Sequence, residues 1–135
     1  MRRVFADAVY WVALAHRKDQ WHQRALQVSQ QLDRVALVTT DEVLDEFLAF
    51  FSGHSSEVRV QSAQTVRMLL AHPTVQVIAQ SRQTFLAGLD LYEGRPDKAY
   101  SLTDCVSMAT MRDQAITEVL THDAHFTQEG FTVLL

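Results

Sequence analysis

The sequence contains few of the residues that break up or cross-link a chain. Its 135 residues include four glycines, two prolines and one cysteine, Cys105. A single cysteine excludes a disulfide within the chain and fits a reducing compartment. The scarcity of glycine and proline predicts few long loops. With 47% hydrophobic and 21% charged residues, the composition is typical of a folded globular chain and not of a disordered one.

Long apolar runs and an excess of positive charge are also missing. No segment approaches the roughly 18 apolar residues of a membrane span. Asp7 interrupts the N-terminus before an apolar signal-peptide region could form. We therefore expect a cytoplasmic protein without a membrane partner. The net charge of −4 gives no general basic footprint for nucleic acid, although a local patch would suffice to bind one.

Short apolar runs alternate with amphipathic segments along the chain. The pattern predicts strands at Arg2–Ala6, Val35–Val38, Val75–Ile78, Glu118–Thr121 and Phe131–Leu135. It predicts helices at Ala8–Leu14, Trp21–Leu32, Glu57–Ala71 and Arg82–Tyr92. Two further helices are predicted: one is capped by Thr39 or Thr40 and ends near Phe51, and the other follows Tyr100. A single helical turn is predicted at Asp123–Phe126. Strands that alternate with helices form βαβ units. We therefore predict one α/β domain over residues 1–135, with four to five parallel strands between two layers of helices.

The helix that follows Tyr100 carries an acidic residue on its apolar side. Ser101 or Thr103 can cap its first turn. On the helical wheel Asp104 falls between Met108 and Met111, where an uncompensated carboxylate is costly. The helix N-terminus stabilises such a charge by only about 0.3–1 kcal/mol. Either a metal ion or a basic group compensates Asp104, or the residue is a second cap that tilts towards water.

Three further acids follow predicted strands. Asp7 directly follows the first strand, Asp123 follows the fourth, and Glu46 lies about two turns into the helix that leaves the second. The carboxyl ends of parallel strands meet at one edge, so we expect all of them near Asp104. Glu42 is a rival for the role of Glu46, whereas Asp45 points away from the apolar stripe.

Clustered carboxylates repel one another, and a divalent cation relieves the repulsion. An all-oxygen site favours Mg²⁺ or Mn²⁺ over zinc. Such ions activate water and stabilise charge on phosphoryl groups, so phosphodiester hydrolysis without a covalent intermediate is the expected reaction. The six histidines show no zinc pattern, and no glycine-rich nucleotide-binding loop is present.

Four motifs in this order resemble the PIN-domain family, and specifically the VapC-type toxins of toxin–antitoxin pairs. The motifs are Val4-Phe-Ala-Asp7, Val38-Thr-Thr-Asp-Glu-Val-Leu-Asp-Glu46, Tyr100-Ser-Leu-Thr-Asp104-Cys, and Leu120-Thr-His-Asp123-Ala-His-Phe126 followed by Gly130-Phe131. The resemblance covers essentially the whole chain. It implies a PIN-like fold and a metal-dependent endoribonuclease whose catalytic and metal-binding quartet is Asp7, Glu46, Asp104 and Asp123. It also implies an RNA substrate, an antitoxin partner and a homodimer.

One position departs from the family pattern, because Ala8 stands where a Thr or Ser often follows the first Asp. A hydroxyl that could orient this carboxylate is missing, and altered metal affinity is the expected consequence. Two alternatives remain: a catalytically weak interaction module with the same fold, and a housekeeping RNA-processing nuclease without an antitoxin.

Basic residues near the quartet are candidates for phosphate contacts. Arg95, Lys98 and Arg112 lie near the Asp104 helix and are the predicted phosphate contacts. His122 and His125 flank Asp123 and are candidates to touch RNA or to support the metal ligands. The aromatic residues Tyr10, Trp11 and Trp21 are predicted to lie in the core or an interface and not to stack on bases. The helices Trp21–Leu32 and Glu57–Ala71 are predicted to carry protein contacts.

Overall fold

Five parallel strands form the central sheet of the computed structural model, which describes residues 1–135. In chain order they are β1 (Arg2–Ala6), β2 (Val35–Thr40), β3 (Val75–Ile78), β4 (Glu118–Leu120) and β5 (Thr132–Val133). Their order across the sheet is β3-β2-β1-β4-β5. The central strand β1 is buried at Val4, Phe5 and Ala6 because β2 and β4 flank it and helices cover it.

Seven helices fill the connections between the strands. They are α1 (Ala8–Ala15), α2 (His22–Gln31), α3 (Asp41–Phe51), α4 (Ser56–Ala71), α5 (Arg82–Gly94), α6 (Leu102–Asp113) and α7 (Ala124–Gln128). The first four connect β1, β2 and β3, whereas α5 and α6 lie in the connection that returns across the sheet to β4. Right-handed crossovers therefore place the two groups on opposite faces. The predicted three-layer α/β/α fold with a parallel sheet is confirmed.

Side-chain caps set the starts of the helices that carry the predicted acids. The Thr40 hydroxyl accepts a hydrogen bond from the Val43 N–H at the start of α3, 3.1 Å away. At the start of α6, the Ser101 hydroxyl accepts one from the Asp104 N–H at 3.0 Å. Each cap satisfies a backbone donor that the first turn leaves free. Thr40 and Ser101 are thus the capping residues among the predicted alternatives.

The last two strands are shorter than the sequence pattern predicts. Strand β4 ends at Leu120 and not at Thr121, and β5 spans only Thr132–Val133. The Thr121 hydroxyl accepts a hydrogen bond from the Asp123 N–H at 3.1 Å, so the chain turns out of the sheet at this residue. None of the seven helices combines the length and apolar character that a membrane crossing requires.

Helices α5 and α6 approach each other closely at one glycine. A methyl group at Gly88 would overlap the Val106 side chain, so a larger residue would push the helices apart. Cys105 is fully buried on the same helix as Val106 and packs in the core, as predicted. This contact fixes the spacing between α5 and α6, the helix that carries Asp104.

Candidate active site

The crevice that carries the predicted acids opens between β1 and β4. The connections from β1 lead towards β2, whereas β4 lies on the other side of β1, so the strand order reverses at this point. Ligand sites of open parallel sheets occur at such reversals, outside the carboxyl ends of the strands. Ala6 is level with Leu120, and the Asp7 N–H donates to the Leu120 carbonyl at 3.2 Å. Asp7 and Thr121 therefore emerge side by side.

Asp7 is held by two hydrogen bonds at the floor of this crevice. One carboxylate oxygen accepts from the Ala8 N–H and the other from the Thr121 hydroxyl, both at 2.9 Å. Only 4% of Asp7 is exposed. Burial raises its pKa to about 6, and the charges of Asp104 and Asp123 add to the shift, although the two hydrogen bonds oppose it. The hydroxyl that is missing at position 8 is thus supplied by Thr121.

Asp104 is both a helix cap and a buried carboxylate. Its Oδ2 accepts a hydrogen bond from the Ser101 N–H at 3.1 Å, which completes a capping box. Asp104 is only 8% exposed, so it does not tilt into water. The same oxygen lies 3.1 Å from His125 Nδ1, which is also 3.3 Å from Asp123 Oδ1. Of the alternatives that the sequence left open, His125 lies close enough to act as the basic group, and the Asp104 carboxylate also caps the helix.

Glu46 is coupled to the other three acids across the crevice. It is exposed as a residue, yet the protein around its carboxyl raises its pKa to about 7. The charges of Asp7 and Asp104 raise the pKa further, as do those of Asp45 and Asp123. The structure thus brings Glu46 into electrostatic contact with the other predicted acids.

The rival residue Glu42 lies elsewhere. It borders a separate surface depression together with Gln80, Ser81 and Arg82, between the start of α3 and the start of α5. Asp45 is exposed and points away from the buried stripe of α3, as the helical wheel predicted. Of the acids in this segment, Glu46 is the one that faces the crevice.

The side chains in the crevice fit a divalent cation. Asp104, Asp123 and His125 each offer one ligand atom, and the three atoms lie within 4.8 Å of one another. The raised pKa values of Asp7 and Glu46 agree with this, because burial and then the neighbouring acids disfavour their charged forms, which a bound cation would stabilise. Carboxylate oxygens favour Mg²⁺ or Mn²⁺. The prediction was an all-oxygen site, whereas His125 also offers an imidazole nitrogen as a metal ligand.

All three basic residues predicted near the Asp104 helix as phosphate contacts have acidic partners within the protein. Arg95 donates two hydrogen bonds to the Glu129 carboxylate, at 2.9 and 3.1 Å, and Arg112 binds the same carboxylate. Tyr100 also donates to Glu129, at 3.1 Å, and its ring lies 5.4 Å from that of His125. These residues therefore brace the crevice, and Lys98 pairs with Asp97 at 3.5 Å.

We expect Glu129→Gln to destabilise the protein by about 1–3 kcal/mol near pH 7, because Glu129 is buried and accepts charged hydrogen bonds. Its pKa is lowered to about 2, chiefly by Arg95. A lowered carboxyl pKa stabilises the fold above the ordinary value of 4.5, and this contribution is lost as the pH falls towards 2. Thermal melts should thus separate variant and parent at pH 7 and converge at pH 2–3.

The exposed ion pair of Arg2 and Glu118 provides a control for this prediction. Two hydrogen bonds of 2.8 Å join its side chains at the surface. Because water screens exposed pairs, Glu118→Gln should change stability by at most about 1 kcal/mol. A Glu129→Gln protein as stable as the parent at pH 7 would contradict the bracing role.

The sequence pattern does not identify Thr121 as a site residue, and it assigns His125 no definite role. It predicts Thr121 as the end of a strand, although Thr121 stands two residues before Asp123. His125 lies two residues after Asp123, and its backbone N–H donates to Asp123 Oδ1 at 2.9 Å. The signal that could have identified Thr121 is its position: it is a polar residue at the end of a buried strand, two residues before the predicted site residue Asp123.

Comparison with known proteins identifies the fold. No protein-family model and no curated protein sequence matches the chain. Among solved structures, VapC20 of Mycobacterium tuberculosis, described as a Sarcin-Ricin loop cleaving toxin, superposes with a TM-score of 0.85 at 20% identity, over 96% of each chain. The chain has the PIN fold of the VapC toxins.

Two other structures share the PIN fold at lower identity. FitAcB of Neisseria gonorrhoeae gives a TM-score of 0.73 at 12% identity, over 98% of this chain and 96% of the other. A toxin–antitoxin complex from Klebsiella pneumoniae gives 0.67 at 16% identity, with the same coverage. The predicted PIN-like architecture is confirmed over nearly the full length.

Proposed function

We propose that this protein is a metal-dependent endoribonuclease that hydrolyses RNA phosphodiester bonds. The observation that carries the proposal is the meeting of Asp7, Glu46, Asp104 and Asp123 at the strand reversal of a PIN fold. The fold is shared with a toxin described as cleaving the Sarcin-Ricin loop, which supports RNA as the substrate.

The four acids are the residues that we propose to hold the metal and act in catalysis, with His125 beside them. A bound Mg²⁺ or Mn²⁺ would lower the pKa of water and stabilise the charge that develops on the phosphoryl group. The acids themselves keep the site negative. Thr121 and the Ala8 N–H fix both oxygens of Asp7, and the Ser101 N–H fixes one oxygen of Asp104. Fixed carboxylates require little reorganisation during the reaction.

We propose Thr121 as the positioning residue for two acids, since its hydroxyl donates to Asp7 and accepts from the Asp123 N–H. We expect Thr121→Val, which keeps the side-chain volume, to reduce RNA cleavage by roughly 10–100-fold, as is usual when a ligand loses its supporting hydrogen bond. Thr121→Ser keeps the hydroxyl and should restore most of the activity. The measurement is kcat/KM on RNA in Mn²⁺, with circular dichroism to confirm folding.

Equal loss of activity in the Val and Ser variants would contradict this role. In that case the Thr121 methyl group would matter and the hydrogen bond would not. Unchanged activity in Thr121→Val would show that Asp7 needs no orienting partner.

We also propose that the protein is the toxin of a toxin–antitoxin pair and forms a homodimer. The structural neighbours include toxin–antitoxin complexes, which supports an antitoxin partner. Exposed large apolar side chains lie on α4 and α5, at Val60, Met68, Leu70, Phe85, Leu86, Leu89 and Tyr92. Such side chains suit protein contacts. The predicted contact helix at Glu57–Ala71 has such side chains, whereas α2 has no large exposed apolar residue.

Light scattering at micromolar concentration measures the proposed dimer directly. A strictly monomeric chain would contradict it while leaving the nuclease proposal untouched.

The experiment that tests the nuclease proposal is cleavage of a structured RNA by the full chain. Cleavage should require Mg²⁺ or Mn²⁺ and stop when EDTA is added. A protein that folds and binds a partner but never cuts RNA would favour the interaction module instead. Cleavage by a chain that has no antitoxin partner would favour the housekeeping nuclease.

A further inference from the structure

A cleft of about 540 Å³ begins beside the proposed catalytic acids. Ala8 and His122, the sequence neighbours of Asp7 and Asp123, line it together with Glu46. From there it extends between α1 and α3 towards Phe50. Its volume lies in the range of about 300–1,000 Å³ that is typical of small-ligand pockets. A substrate whose phosphate lies at the acids can therefore continue into this cleft.

Aromatic rings form one wall of the cleft. The Trp21 and His122 rings stack with centroids 4.4 Å apart and planes 11° apart. Phe50 is 46% exposed and also lines the cleft. The Trp21 Nε1–H is buried without a hydrogen-bond partner. Trp21 also packs against the hydrophobic core, in agreement with its prediction as a core or interface residue.

Basic side chains lie on the other side of Phe50. His16, Arg17, Lys18 and His54 border a second cavity of about 430 Å³. The Phe50 ring connects the two cavities, because its centroid lies 5.6 Å from that of His16 and 5.7 Å from that of His54. Arg17 and Lys18 are exposed and form no salt bridge with an acid.

We propose that these two cavities form an RNA subsite next to the scissile phosphate. A nucleobase stacks on the exposed face of Phe50 in the aromatic cleft, and the adjoining phosphate binds Arg17 and Lys18. The side-chain amide of Gln20, which also lines the cleft and can donate and accept, contacts the edge of the base. This inference rests on the proposed nuclease function and names where its substrate binds.

Three observations favour RNA over a protein segment as the occupant. The cleft is continuous with the acids, flat aromatic faces suit bases of any sequence, and free cations suit phosphates. The larger exposed apolar surfaces, which suit a protein partner, lie on α4 and α5. The chain's net charge of −4 does not oppose this reading, because the required positive charge is local.

The test is binding of a fluorescent single-stranded RNA to the full chain carrying Asp104→Asn, so that cleavage does not interfere. Phe50→Ala should weaken binding about tenfold. Phe50→Leu, which keeps an apolar side chain but has no aromatic face, should weaken it similarly, and Phe50→Tyr should bind like the parent. On an oligonucleotide of abasic ribose phosphates, all four proteins should bind equally. Because Phe50 is half exposed, these variants should fold, which circular dichroism checks.

The proposed phosphate contacts can be tested separately through the salt dependence of RNA binding. The double variant Arg17→Ala/Lys18→Ala should weaken binding and reduce the slope of log affinity against log salt by about 0.7, the contribution of one neutralised phosphate on a single strand. Arg67→Ala is the matched control, because Arg67 is exposed and lines neither cavity. It should leave the slope unchanged.

The outcomes separate this subsite from the nuclease proposal. If the parent cuts RNA but the Phe50 and Arg17/Lys18 variants bind RNA as it does, the subsite is wrong and the nuclease proposal stands. Variants that keep RNA binding but lose dimer formation in light scattering would show that the face is a protein interface, which also overturns the subsite. If the parent neither binds nor cuts RNA, the nuclease proposal fails as well.

Discussion

Asp104→Asn should abolish RNA cleavage while leaving the protein folded. Asn keeps the size of the side chain and an oxygen that can accept the Ser101 N–H, so the capping box of α6 survives. The change removes the negative charge that lies within ligand distance of Asp123 and His125. We expect a loss of at least about a thousandfold, because the proposed chemistry depends on the cation that this charge holds. Asp7→Asn should behave alike.

Asp45→Asn is the control for this prediction. Asp45 is exposed and does not line the cleft beside Glu46, and its replacement makes the same change in charge, although its charge contributes to the raised pKa of Glu46. It should retain nearly full activity. The assay is cleavage of a structured RNA in Mg²⁺ or Mn²⁺, with circular dichroism on each variant. If Asp104→Asn cuts as fast as the parent, the nuclease proposal is wrong and the interaction module replaces it.

The metal-free protein should lose stability as the pH rises from about 4 to 7. The pKa values of Asp7 and Glu46 are raised to about 6 and about 7, first by burial and then by neighbouring acids. In this window the folded state holds more protons than the unfolded state, so stability falls with pH. One pKa unit corresponds to about 1.4 kcal/mol, so the ionisation of Asp7 alone should lower the free energy of unfolding by on the order of 2–3 kcal/mol. Thermal melts in EDTA across this window measure the effect.

Addition of Mn²⁺ at neutral pH should reverse that loss. A ligand that binds only the folded state stabilises it by about 2.7 kcal/mol at a hundredfold excess over its Kd. Asp7→Asn should make the metal-free protein more stable at pH 7 and weaken its response to Mn²⁺. Identical melting temperatures in EDTA and Mn²⁺, with no heat of binding in calorimetry, would count against the metal site.

Most of the architecture follows from local patterns. The apolar run at Val35–Val38 forms most of β2, which extends to Thr40 and is buried at its carboxyl end, and Ser101 caps α6 because its hydroxyl reaches a free N–H. The predicted strand ends were less accurate. At Thr121 a side-chain hydrogen bond to a residue two positions ahead ends β4, and hydrophobic periodicity does not register such a bond.

The site could be predicted only as a set of acids. Strand ends in a parallel sheet identified Asp7 and Asp123, and the helical wheel placed Glu46 and Asp104 near the same edge. The wheel could not distinguish a capping role for Asp104 from a buried one, and the structure shows both at once. The sequence gives no indication that Arg95 and Arg112 form ion pairs, because their shared partner Glu129 lies far from both along the chain.

The sequence by itself determined the fold class, the positions of the elements and which acids lie at the strand ends, because these depend on periodicity and short-range capping. The tertiary structure decided which side chains support those acids. Thr121 reaches Asp7 from 114 residues away, and His125 reaches Asp104 from 21 residues away. It also placed Phe50 between an aromatic cleft and basic side chains. Such contacts depend on how strands and helices pack, and no local pattern in the chain encodes them.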